Sequence, residues 1–346
     1  MLLIIISLLF HLLFCLVAFV SSANAEHWEN YTCSQRDANS IVIDKDTLWI
    51  GSYGGGVAKY LLNGTLLALY NRADGLESNY TWAVAIDKNG NKWFGGAYGV
   101  SKFDGTNWTT YFVSDSVLKA SVWVLAVDSL NNLWCGTDGK GVWKFDGVTW
   151  TEYNTSNSNI GDNTIREITV AANHNVWIGG PNYGGVSKFD GVTWTTYTTA
   201  NSGIKANECW AITEDAQHNM WFGADSWGGV SMFDGSSWTI YNNSNSPLSS
   251  CCMVTAIAVD LQGNKWFANG KVFKYDGVNW VTYDDNNSPV TGWISRIRVD
   301  RFGNKWFASG SGVLKIDMAG NWSVYDTTNY GLGHPYLSVY SIGDET

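Results

Sequence analysis

Proline is nearly absent from this chain of 346 residues, with 4 in all, and histidine is scarce at 5. Charged side chains make up only 15% of the residues against 45% hydrophobic, which excludes a solvated disordered chain and long polar helices. Basic tracts are missing too. With a net charge of −10, a phosphate backbone would be repelled rather than recruited, so nucleic acid is not an expected partner. No Cys-x-x-Cys or Cys/His spacing supports zinc and no EF-hand spacing supports calcium, so no cofactor is expected. What the sequence does have is glycine, 37 residues, and tryptophan, 20. At this length the chain exceeds one ordinary core, and that composition favours an array of small stacked units over two globular domains.

Residues 1–25 stand apart. Met1 to Val20 is almost wholly apolar, and Ser21-Ser22-Ala23-Asn24-Ala25 ends in the Ala-x-Ala of a signal-peptidase site. A signal peptide cleaved after Ala25 is expected. The alternative is an uncleaved anchor, since about twenty apolar residues just span a bilayer and the usual positive n-region is missing. No second spanning segment follows, so residues 26–346 are expected outside the cytoplasm, whether secreted, periplasmic or on the cell surface. Beyond the leader, Cys33, Cys135, Cys209, Cys251 and Cys252 are too few and too spread for a disulfide framework. Free thiols are the simpler reading. One bridge from Cys209 to the Cys251-Cys252 pair is the alternative in an oxidising compartment.

Internal repetition dominates the remainder. Tryptophans at Trp49, Trp93, Trp134, Trp177, Trp221, Trp266 and Trp306 recur at intervals of 40 to 45 residues. A second series, Trp108, Trp150, Trp194, Trp238, Trp280 and Trp322, recurs every 42 to 44, each followed three residues later by a tyrosine. The unit Ala83 to Tyr111 shows the logic. The apolar Ala83-Val84-Ala85-Ile86 ends at a turn-forming Asp87-Lys88-Asn89-Gly90-Asn91, and Lys92-Trp93-Phe94-Gly95 follows. Val100-Ser101-Lys102-Phe103 comes next, then Asp104-Gly105 as a two-residue hairpin signal, and Trp108-Thr109-Thr110-Tyr111 closes the unit. These are four antiparallel strands, a to d. Such a sheet cannot bury both faces alone, whereas radial stacking covers them, so the expected fold is all-β, a seven-bladed β-propeller of four-stranded antiparallel blades. Trp93 and Phe94 alternate across the sheet and should plug the gaps to different neighbouring blades. The thirteen periodic tryptophans are packing on this reading, as is Trp143 on a c strand. At the ends, His27 to Tyr31 resembles a spare d strand and Tyr336 to Ile342 a spare a strand, which would latch the ring or belong to a longer array.

The stretch GLESNYTWAVAIDKNGNKWFGGAYGVSKFDGTNWTTY resembles the two-component regulator propeller repeat, with its Gly-Leu-x-Ser-Asn, Asp-x-x-Gly-Asn-x-Trp and Gly-Val-x-x-Phe-Asp elements. The resemblance covers essentially everything after Ala25. It implies an extracytoplasmic, sensor-type propeller, of the kind associated with polysaccharide sensing or with free-standing secreted proteins. No kinase or DNA-binding segment appears in this sequence, so signalling output is expected from a separate kinase.

Propellers usually bind ligands on the face carrying the b–c and d–a loops, an inference from fold that residues must support. Eleven residues before each b-strand tryptophan stand Trp82, Trp123, Arg166, Trp210, Thr255 and Ser295, with Glu167 and Arg296 next along and Trp293 just upstream. The b–c loops add Tyr53, Tyr98, Asp138, Lys140, Tyr183 and Trp227. Unlike the packing set, these positions vary between blades. Aromatic rings with a few charges suit a carbohydrate or protein ligand, and no catalytic residue is assigned; the opposing reading is that Trp82, Trp123 and Trp210 merely seal the channel mouth.

The enzyme alternative is a polysaccharide lyase or glycosidase working at the channel mouth, with Asp138 and Glu167 as an acid–base pair. His174 and His218 fall in a–b hairpins on the far rim and are read as solvated turn residues. A propeller similar to virginiamycin B lyase would need a histidine at the channel mouth, and a sialidase an arginine triad with Asp-x-Gly-x-x-Trp boxes. Here the spacing is Asp-x-x-Gly-x-x-Trp, with only six arginines. Carboxylates, or a carboxylate with Arg166, converging in one cleft would favour the enzyme, and exposed coplanar aromatics would favour binding.

Overall fold

The computed structural model describes residues 38–61, 65–112, 120–224, 229–248, 253–309 and 312–325, together with 21–22 and 25–26. Seven four-stranded antiparallel sheets follow one another, each in simple up-and-down order, and no helix occurs among the described residues. In the second blade the strands are Thr81–Ile86, Lys92–Gly96, Gly99–Phe103 and Trp108–Phe112. The innermost strands of successive blades adjoin in chain order, beginning with Ala38–Asp44 and ending with Ile294–Val299. The fold is a seven-bladed β-propeller, as the repeats imply. The leader before Ser21, the two spare terminal pieces, Cys33, Cys251 and Cys252 lie outside the described residues.

Each interface between consecutive blades, first-to-second through sixth-to-seventh, is an aromatic sandwich. Between the second and third blades, Trp93 and Tyr111 meet Phe145 and Trp150, and Trp143 is buried beside them. Phe94 turns the other way, against Trp49 of the first blade at 5.9 Å between centroids. Tyr70 stacks on Trp49 at 5.8 Å, and the same b-Trp to d-Tyr stack recurs through Trp266 and Tyr283. Such pairs add about 0.5–1.5 kcal/mol each beyond the area they bury. The blades approach closely because residues such as Gly95 carry no side chain: a Cβ there would lie 2.8 Å from Val122 Cγ1 of the next blade.

Turn aspartates do more than shape their hairpins. Asp87 Oδ2 accepts the indole N–H of Trp93 at 2.9 Å and the amide of Asn91 at 2.7 Å, while Oδ1 takes the backbone N–H groups of Asn89 and Asn91. Asp128, Asp215, Asp260 and Asp300 hold Trp134, Trp221, Trp266 and Trp306 in the same way. The Asp-x-x-Gly-Asn-x-Trp spacing is therefore a clasp that satisfies a buried indole donor. Lysines from the next blade close some of these clasps from outside, as Lys265 does over Trp221 while lying 3.3 Å from Asp215.

One local expectation changes. The c–d connection is a four-residue loop, Asp104 to Asn107, because Phe103 pairs with Trp108. Asp104 caps the loop by accepting the Thr106 and Asn107 N–H groups, and Gly105 supplies the single left-handed residue at φ 104°. His174 and His218 do sit in a–b turns, but as left-handed residues at φ 68° and 64°, where other blades carry Gly90 or Gly263. Cys209 is a buried free thiol, as is Cys135, so Cys209 forms no bridge.

Candidate functional site

The eleven-residue offset from the b-strand tryptophan turns out to mark a β-bulge. Pairing in the second blade passes from Thr81 and Gly96 directly to Ala83 and Gly95, leaving Trp82 as the extra residue. Trp123, Trp210 and Ser295 are skipped in the same way in the third, fifth and seventh blades. In the fourth blade the Arg166 N–H donates to the Gly179 carbonyl at 2.9 Å, although Gly179 already pairs with Glu167. Thr255 does likewise against Ala268 in the sixth. A bulge turns its side chain out of the strand's alternation. Repeated on the innermost strands of the second to seventh blades, it sets one variable side chain per blade near the start of each strand.

Several of these side chains meet. The rings of Trp82 and Trp123 lie 5.8 Å apart at an interplanar angle of 50°, and the Arg166 guanidinium lies over the Trp123 ring. All three are half-buried. Tilted and partly covered, Trp82 and Trp123 are not the exposed coplanar pair that would by itself favour binding; they form a tilted run that continues into Arg166. The indole N–H groups of Trp123 and Trp210 are buried with no acceptor among the described residues.

Deeper in, Glu167 of the fourth blade faces Arg296 of the seventh, 3.8 Å away across the channel. Arg296 also approaches the Thr255 carbonyl oxygen at 3.5 Å. Glu167, Thr255, Ala256, Arg296 and Arg298 line a cavity of about 30 Å³, room for one or two waters. Burial pushes the Glu167 carboxyl above the usual carboxylate range, and the Arg296 and Arg298 charges pull it back. The carboxylate thus meets Arg296 and Arg298 rather than Arg166.

The outer rim is more open. Tyr53 packs edge-on against Tyr80 at 4.9 Å, and Tyr53, Tyr98, Tyr183 and Trp293 are the exposed aromatics of the set. Asp138 is exposed in the third blade's b–c loop, its backbone N–H bonded to the Ser121 carbonyl at 3.0 Å. Trp227 lies outside the described residues. No group of three His, Cys, Asp or Glu able to hold a metal occurs among the described residues.

One residue beneath this rim escaped the sequence reading. Glu77 is 2% exposed, and its carboxyl accepts the Tyr98 N–H at 3.1 Å. Burial pushes its pKa up to about 8, against the opposing pull of that hydrogen bond and of Arg72. It stands in the Gly-Leu-x-Ser-Asn element, where the fourth and fifth blades have Gly161 and Lys205 after their own buried isoleucines. A carboxylate confined to one repeat was the available signal.

No protein family matches the chain by sequence, and no curated protein does either. Solved structures match its fold. The chain is similar to the extracellular domain of a hybrid two-component system, BT3049 from B. thetaiotaomicron, at 20% identity and a TM-score of 0.62, over 90% of this chain and 44% of that one. It is similar to PorZ, a surface component of the type-IX secretion system of Porphyromonas gingivalis, at 18% identity and a TM-score of 0.58, over 84% and 48%. A streptogramin B lyase matches at 14% identity and a TM-score of 0.61, over 78% and 90%. The chain thus spans under half the length of the first two. At these identities the likeness is one of fold. No helix among the described residues is long and apolar enough to cross a membrane.

Proposed function

We propose that this protein is a non-enzymatic, extracytoplasmic propeller that binds a carbohydrate or protein ligand at its channel mouth, in the manner of the sensor modules of two-component systems. The observation that carries the reading is the bulge ring. A packing role would favour the same residue in every blade, as it does for the b-strand tryptophans, but the bulges of the second to seventh blades hold Trp82, Trp123, Arg166, Trp210, Thr255 and Ser295. Aromatic walls with a few placed polar groups are the usual lining of a small-molecule site. An extracytoplasmic location is supported by the apolar leader and by folds shared with an extracellular domain and a surface component.

The test is a glycan and peptide array probed with the purified protein. One oligosaccharide class should bind, and Trp82→Ala or Trp123→Ala should weaken it. Undiminished binding by both variants refutes the site, and silence on every spot leaves a scaffold for a larger envelope assembly.

A second reading, a lyase or glycosidase at the channel mouth, draws on Glu167, whose raised pKa suits a general acid. Shortened products from any bound polysaccharide, lost in Glu167→Gln, would establish it. Under the binding reading the bound glycan is recovered intact.

A further inference from the structure

Charge inside the channel runs against charge outside it. The chain carries a net −10 and only six arginines, yet Arg166, Arg296 and Arg298 all stand on innermost strands or their bulges in the fourth and seventh blades. Two of the three line the channel cavity, and Glu167 is the one carboxylate lining it with them among the described residues. The buried indole N–H groups of Trp123 and Trp210 add donors at the same mouth. The wall therefore offers donors and positive charge, and its complement is an acceptor-rich anion.

The Glu167 to Arg296 contact shows how such an anion would sit. At 3.8 Å it is an ion pair, longer than the roughly 2.7–2.9 Å of a charge-assisted hydrogen bond. Glu167 stands at that longer distance from Arg296, and a ligand carboxylate, not tethered to the chain, is free to approach the guanidinium more closely. Burial further strengthens attraction between opposite charges there.

We propose that the channel mouth selects saccharides bearing carboxylates, that is, uronic-acid oligomers, over neutral ones, with Arg296 and Arg298 taking the carboxylate and Glu167 competing for them. This rests on the binding-face reading above. The sugar rings would lie along Trp82 and Trp123, with the carboxylate directed inward.

Titration calorimetry tests it with oligogalacturonate and oligomannuronate, each against its carboxyl-reduced neutral counterpart, and with a poly-glutamate peptide. The wild type should bind at least one acid form about tenfold or more tighter than its neutral form, and the preference should shrink with salt. Arg296→Met should bring it to within about twofold. Glu167→Gln, a near-isosteric change that removes the competing charge, should tighten acid binding several-fold, an increase that no loss of folding could produce.

Equal binding of acid and neutral forms overturns the inference while leaving the binding face intact. Unchanged or weaker acid binding by Glu167→Gln overturns the role of Glu167. Preference for the peptide, or failure of both acid forms to bind, overturns the saccharide assignment. Failure of the neutral forms and of every other glycan as well removes the binding face with it.

Discussion

The indole nitrogen of Trp93 donates to Asp87 Oδ2 at 2.9 Å, six residues back across the a–b turn. The bond recurs in five of the seven blades, and the two exceptions explain themselves. The first blade has a shorter turn, and its Asp44 is paired with Lys92. The fourth has Ala171 where the others have aspartate, and the Trp177 indole N–H is buried with no acceptor among the described residues.

Asp87→Ala removes one carboxylate and orphans four donors, the indole among them. A loss of about 2–4 kcal/mol is expected from the cost of buried unpaired groups. Urea denaturation followed by tryptophan fluorescence checks it; a midpoint unchanged from wild type would mean that the clasp is ornamental.

Ala171→Asp runs the other way. The turn is already in register, with the His174 N–H bonded to the Ala171 carbonyl and Trp177 six residues on. Supplying the missing acceptor should add about 1 kcal/mol. The same denaturation series should show a higher midpoint, and a lower one would show that the fourth-blade turn cannot seat the carboxylate.

Glu77 sets a pH dependence. Its folded-state pKa, about 8, lies above the unfolded carboxylate value. Between those two values the folded state binds the extra proton, so this group's contribution is full in acid and is lost as pH rises towards about 8. Glu77→Gln stays neutral throughout. Relative to wild type it should gain stability steadily over that interval in thermal melts, and parallel curves would contradict the assignment.

The thiols of Cys135 and Cys209 are buried and raised by desolvation. Both should resist iodoacetamide in the native protein at neutral pH and react once it is unfolded. Mass-spectrometric labelling settles this site by site, and native labelling of Cys135 would require an open second-to-third blade interface.

Much of this was legible in the sequence because a propeller writes its geometry as a period. Trp93 and Phe94, adjacent in sequence and facing opposite interfaces, followed from strand alternation. The bulges were located without being recognised: a fixed offset from the b-strand tryptophan found Trp82, Trp123 and Arg166, but one extra residue in an a strand leaves no signature of its own. The c–d loop was misread because Asp104-Gly105 signals a tight hairpin only when strand pairing begins immediately beside it. The meeting of Glu167 and Arg296 could not be read at all, since it depends on how far apart the fourth and seventh blades stand across the channel. No local pattern encodes that distance.

The central claim is that the bulge ring is the binding surface, and the Trp82→Ala/Trp123→Ala double variant tests it most directly. Its affinity for the saccharide bound by the wild type, measured by calorimetry alongside its circular dichroism, should fall at least about tenfold while the β-sheet spectrum persists. An unaltered dissociation constant in the folded double variant would contradict the account.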